Sequence, residues 1–116
     1  MQFIVFEGQT VKDGMMGRAY EWLTKNEDEL RSAAPDGSEY LGFFAPIFVS
    51  DKNPGDLFLV YAVESYGALD RQAVSGDSRW GELLNEWHRM FIDSAPGTLG
   101  RKILYKSLTA ATVWGD

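Results

Sequence analysis

No cysteine occurs in these 116 residues, and histidine occurs once. The first absence excludes a disulfide framework, a thiolate metal site and a thiol nucleophile. The second leaves only carboxylates to complete a metal site beside His88, and no ligand spacing is visible, so no metal centre and no cofactor are expected. Basic residues are scarce as well. Eleven Lys and Arg against 17 Asp and Glu give a net charge of −6, with no Lys/Arg cluster. Nucleic acid and anionic membranes are therefore poor partners. No apolar run reaches 18 residues, and Met1 to Glu7 has neither a basic start nor an apolar stretch long enough for export. The expectation is a cytoplasmic chain with no membrane span. A Gly-x-Ser-x-Gly elbow is missing. Gly97-Thr-Leu-Gly-Arg-Lys102 lacks the spacing and the Lys-Ser/Thr ending of a phosphate loop and reads as a turn into a strand.

Apolar residues make up 45% and aromatics 14% of the chain. That is enough for one core and one domain, residues 1–116, with aromatic surface left for a pocket or an interface. Gln2 to Gln9 alternates, with Phe3, Val5 and Glu7 on one side and Ile4, Phe6 and Gly8 on the other, as in a strand covered on both faces. Asp13 offers a helix cap. Met16, Ala19, Tyr20, Leu23 and Leu30 follow at helical spacing until Ala33-Ala-Pro-Asp-Gly37 breaks the helix near Ser32. Glu39 to Val49 is rich in aromatics but contains Pro46, which predicts an edge strand or a bulge there. Asp51-Lys-Asn-Pro-Gly55 then turns this strand into an antiparallel partner, Leu57 to Val63. A short helix is expected between Ser65 and Ala73. Asp77 or Ser78 caps a second one, in which Trp80, Leu83, Leu84, Trp87 and Phe91 form a stripe ending near Ser94-Ala-Pro-Gly97. Arg101 to Thr109 reads as the last strand.

The order strand, helix, strand, strand, helix, strand is that of an α+β, ferredoxin-like βαββαβ domain, with a four-stranded antiparallel sheet and two helices on one face. Its other face is apolar enough to need a cover, and a second copy of the chain is the simplest one. The stretch Leu59 to Trp80, in which a strand passes through a short helix to Asp77-Ser-Arg-Trp80, resembles that of the dimeric α+β barrel superfamily, in particular its NIPSNAP-like and antibiotic-biosynthesis-monooxygenase-like members. The resemblance implies two sheets closed face to face into a barrel. It also implies activities ranging from cofactor-free oxygenation of aromatic polyketides and cyclisation to haem degradation, or none.

Read this way, the chain is expected to bind a small hydrophobic or aromatic molecule as a homodimer. Cofactor-independent oxygenation or cyclisation needs a water-poor pocket, a base and donors for a developing oxyanion. His88 would supply the base; Tyr61, Tyr66 and Tyr105 the donors; Phe43, Phe44 and Trp80 the pocket walls. Tyr40 could add a further phenol to the same face. Glu7 and Glu64 end apolar strands, where a carboxylate can move a proton or simply be solvated. The alternatives are a haem-binding degrader with His88 on the iron and a non-catalytic carrier or assembly module whose aromatics fill the interior. For His88, Trp80 and Asp77 a purely structural role, as boundary, core and cap residues, competes with each of these.

Overall fold

The computed structural model describes residues 3–47, 56–65, 67–68, 78–94 and 101–106. Its elements follow in the expected order: β1 (Phe3–Gln9), α1 (Met16–Ala33), β2 (Ser38–Phe44), β3 (Leu57–Val63), α2 (Arg79–Phe91) and β4 (Arg101–Lys106). The strands form one antiparallel sheet in the order β2-β3-β1-β4. Sequential strands β2 and β3 are neighbours, β1 and β3 hold the centre, and β2 and β4 are the edges.

Strand alternation divides the sheet into two faces. Phe3 and Val5 of β1, and Leu57, Leu59, Tyr61 and Val63 of β3, share a buried cluster with Ala19, Trp22 and Leu30 of α1 and with Trp80, Leu83, Trp87 and Phe91 of α2. Both helices thus cover one face. Aromatic rings fill the space between: Trp80 meets Tyr40 and Tyr61 edge-on, and Trp87 packs on Trp22, Phe43 and Phe91. The indole N–H of Trp87 donates to the amide oxygen of Gln9 at 2.8 Å, which gives both buried polar groups a partner. On the other face Phe6 packs edge-on against Phe58 and Tyr105.

Four details differ from the sequence reading. Asp13 does not cap α1: Met15 precedes the helix without a side-chain cap, and Asp13-Gly14 forms a turn in which Gly14 takes a φ of 76°. The buried stripe of α1 runs through Trp22, two residues and so about 200° round the helix from Tyr20. Tyr20 and Met16 are exposed. The irregularity in β2 lies between Tyr40 and Gly42 and not at Pro46, which follows the end of the strand; β2 is the edge strand expected. Finally, α2 ends at Phe91, because Ile92 leaves helical backbone and bridges to Val11. Its start matches the reading, with the Ser78 hydroxyl accepting from the Gly81 N–H at 3.1 Å. The turn at 51–55, Tyr66, Asp77, most of the short helix and Leu108 lie outside the described residues.

Candidate functional site

The bulge in β2 builds a pocket. Tyr40 pairs with Tyr61, but the next paired residue is Gly42, opposite Val60, so Leu41 is the extra residue. A one-residue slip inverts every later side chain. Without the slip Phe43 would lie on the same side of the sheet as Phe6. With it, Phe43 faces the helices opposite Leu59, and its ring lies 4.7 Å from that of Trp87. Gly42 carries the distortion at a φ of 137°, a backbone that L side chains rarely adopt, and the Phe44 ring lies over it.

Beside Phe43, a pocket of about 230 Å³ opens between α1 and the end of β2. Its walls are Met16, Ala19, Tyr20 and Leu23 from α1, Phe43, Phe44 and Ala45 from β2 and its extension, and Leu57 from β3. The helix residues fall at offsets of zero, three, four and seven, which is one face of a helix. One side of the pocket is firm, since Phe43 is backed by Trp87, which Gln9 holds in place. The opposite rim is open to water: Tyr20 is 72% exposed and Phe44 55%. The only titratable side chain among these eight residues is Tyr20.

A second feature is polar. The Tyr61 hydroxyl donates to Glu7 Oε1 at 3.1 Å, and Lys102 Nζ approaches the same oxygen at 3.0 Å. The Tyr61 ring is buried, and its phenol is pushed far above the ordinary value by burial first and then by the Glu7 charge and hydrogen bond. Tyr40 is a parallel case. Its hydroxyl donates to Glu27 at 2.9 Å, Arg31 lies over its ring, and burial followed by the Glu27 hydrogen bond raises its phenol.

These placements sort the sequence candidates. Phe43 and Phe44 line the pocket. Trp80 is in the helix-side core, edge-on to Tyr61. His88 lies on the exposed side of α2, outside the buried stripe, and does not line the pocket. Glu7 and Tyr61 are joined, with Tyr61 committed to Glu7 as donor. The phenols expected to converge on the uncovered face do not do so: alternation sends Tyr40 and Tyr61 to the helices and Tyr105, 54% exposed, to the other side. Glu64 is exposed just beyond β3, with its backbone N–H donating to the Gly37 carbonyl. Tyr66 lies outside the described residues. Among the described residues no group of three or more His, Asp or Glu stands close enough to hold a metal, and no helix is long and apolar enough to cross a membrane.

The sequence reading missed Met16, Ala19, Tyr20, Leu23, Ala45 and Leu57 as pocket residues, and Lys102 as partner of Glu7. One signal was present. The first helix carries both a Trp22 stripe and a Met16–Tyr20 ridge, more apolar width than one core contact requires.

No protein-family model and no curated protein matches the sequence. Solved structures do match its shape. A NIPSNAP family protein from Agrobacterium tumefaciens superposes with a TM-score of 0.61 at 17% identity, covering 93% of this chain and 91% of that one. A putative antibiotic biosynthesis monooxygenase from Nitrosomonas europaea gives 0.60 at 10% identity, covering 92% and 99%. A NIPSNAP-like domain protein from Burkholderia xenovorans gives 0.59 at 11%, covering 96% and 90%. The chain has the fold of these antibiotic-biosynthesis-monooxygenase-like and NIPSNAP-like structures.

Proposed function

We propose that this chain, with the fold of the monooxygenase-like and NIPSNAP-like structures, is a homodimeric binding protein for a small apolar or aromatic molecule, held in the pocket between α1 and β2. The observation that carries this reading is the wall of that pocket, seven apolar residues and one tyrosine around about 230 Å³. An apolar cavity of about 150 Å³ holds benzene, so this one is sized for one ring or two fused rings. It falls short of the roughly 300–1,000 Å³ of pockets for larger ligands.

Binding is favoured over turnover for a chemical reason. Cofactor-free oxygenation or cyclisation needs a base in contact with the ligand, at heavy-atom distances of about 2.6–3.2 Å or through one water. The described wall offers no carboxylate, histidine or amine, and its one polar side-chain group is the Tyr20 hydroxyl. His88, the base suggested by its residue type, is on the exposed side of α2.

Calorimetric titration and thermal unfolding with 1-naphthol test the proposal. At ten times the dissociation constant, binding to the folded state alone adds about 1.4 kcal/mol, which raises the melting temperature by roughly 3–8 °C. His88→Ala is expected to bind unchanged. Ala45→Trp, a filling substitution at an exposed rim position, is expected to abolish the heat of binding and the shift. Equal binding by wild type and Ala45→Trp would place the ligand elsewhere.

A further inference from the structure

The side chains that wall the pocket differ in what an oxidant can do to them. Alanine, leucine and phenylalanine carry only carbon and hydrogen, which hydroperoxides leave alone, and the Tyr20 phenol yields only to one-electron oxidants. The Met16 thioether is the exception, because a two-electron oxidant converts it under mild conditions from an apolar group to a polar sulfoxide. We propose that Met16 is an oxidation site that controls the pocket: hydrogen peroxide converts its thioether to the sulfoxide, the pocket then releases its apolar ligand, and a bound ligand in turn shields the sulfur. This rests on the binding function proposed above and adds the regulation of that site.

Position makes Met16 both reachable and consequential. It is the first residue of α1, it is 45% exposed, and it forms the end of the ridge that Ala19, Tyr20 and Leu23 continue along the pocket. Two other methionines are described. Met90 on α2 is 40% exposed, and Met15 packs partly buried against the core; neither lines the pocket.

In the reaction a lone pair of the Met16 sulfur attacks one peroxide oxygen and the O–O bond breaks. The sulfur keeps that oxygen and is oxidised by two electrons, while the proton on it passes to the departing hydroxide, so that the peroxide is reduced to one water. The sulfoxide oxygen is a strong acceptor, and Tyr20, one helical turn on, carries the only hydroxyl of the wall. Turned inward, the sulfoxide sets a polar group where the ligand's ring belongs. Turned outward, it takes a piece of the apolar wall into water. The ligand loses apolar contact in both cases, and contact the size of one methylene already changes affinity by about tenfold or more in such pockets.

Wild type treated with hydrogen peroxide until Met16 is oxidised, as read by peptide mass spectrometry, should bind 1-naphthol about tenfold or more weakly in calorimetric titration. Reduction by the two methionine sulfoxide reductases, one for each sulfoxide epimer, should restore the original constant. Met16→Leu, whatever its own affinity, should bind equally before and after peroxide, whereas Met90→Leu should lose affinity as wild type does. During the treatment, saturating naphthol should slow oxidation of Met16 by roughly threefold or more relative to Met90 in the same molecule, because susceptibility follows exposure. Met90 also corrects for peroxide that naphthol consumes. Oxidised Met16 with unchanged affinity would overturn the proposal, as would a loss that persists in Met16→Leu, or a rate ratio of Met16 to Met90 that naphthol does not alter. The binding function would stand in each of those cases. No naphthol binding by the untreated protein would instead remove the function on which the control rests.

Discussion

Tyr61 shows how a residue that looks chemical is committed structurally. Its ring packs against Trp80 and its hydroxyl is held by Glu7, which Lys102 approaches at the same oxygen. A raised phenol has a definite consequence for stability. Below the ordinary value of 10.0 tyrosine is protonated in folded and unfolded chains alike, and the contribution of this pair is intact. As pH rises beyond that, the unfolded chain releases protons that folded Tyr61 and Tyr40 retain, so stability falls with increasing pH. Urea unfolding at about pH 8 and about pH 11 should show a smaller loss in Tyr61→Phe than in wild type. At neutral pH the same substitution should cost about 1 kcal/mol, the net worth of one hydrogen bond, because Glu7 keeps Lys102. An equal alkaline loss in both proteins would show that Tyr61 titrates normally. Trp87 is the opposite case, an aromatic with no chemistry assigned to it that backs the pocket wall through Phe43. Trp87→Ala should cost about 3–5 kcal/mol in chemical unfolding.

At the scale of the element, the bulge in β2 decides more than any single side chain. It turns Phe43 onto Trp87 and leaves Phe44 over Gly42 on the other face. Gly42→Ala places a Cβ at a φ of 137° and 3.2 Å from the Phe44 ring. The expected cost is about 1–3 kcal/mol by urea unfolding, together with weakened naphthol binding as Phe44 is displaced. An unchanged midpoint would mean that the strand takes up the strain by shifting register. The helix ends are simpler. Ser78 caps α2 because its hydroxyl reaches the Gly81 N–H. Asp13 does not cap α1 because the turn at Gly14 leaves the helix to begin at Met16.

For the molecule as a whole, the sheet has one face packed by two helices and one lined by Phe6, Phe58 and Tyr105. The first is a core in which every described buried side-chain polar atom has a hydrogen-bond partner. On the second, Val60 and Ala62 at the centre of β3 are already buried within the subunit. Between the helices, Arg79 forms a two-pronged bond to Glu29 and also reaches Glu82. This pairing holds the Glu29 carboxyl below its ordinary value of 4.5, chiefly through the Arg79 hydrogen bond. Its contribution is present above that value and is lost as pH falls through the lowered one. Because these groups are exposed the effect is small, and it is expected to fade at high salt.

Element order and type were legible in the sequence because each depends on local periodicity. Alternation in β1, the Trp80-to-Phe91 stripe of α2 and the Ser78 cap are properties of a few consecutive residues, and from them the ferredoxin-like order and its likeness to the monooxygenase-like fold could be read. What only the tertiary structure decided was which side each aromatic takes. A single extra residue, Leu41, reverses the alternation in β2, and nothing in the local pattern marks it apart from the glycine that follows. Tyr40, Tyr61 and Tyr105 were separated for a related reason: strand position and not residue type determines the face, and the register that sets position is fixed only when strands pair. The pocket exists where the rim of one helix meets the end of one edge strand. Such a junction of residues distant in the chain has no signature in the sequence of either element.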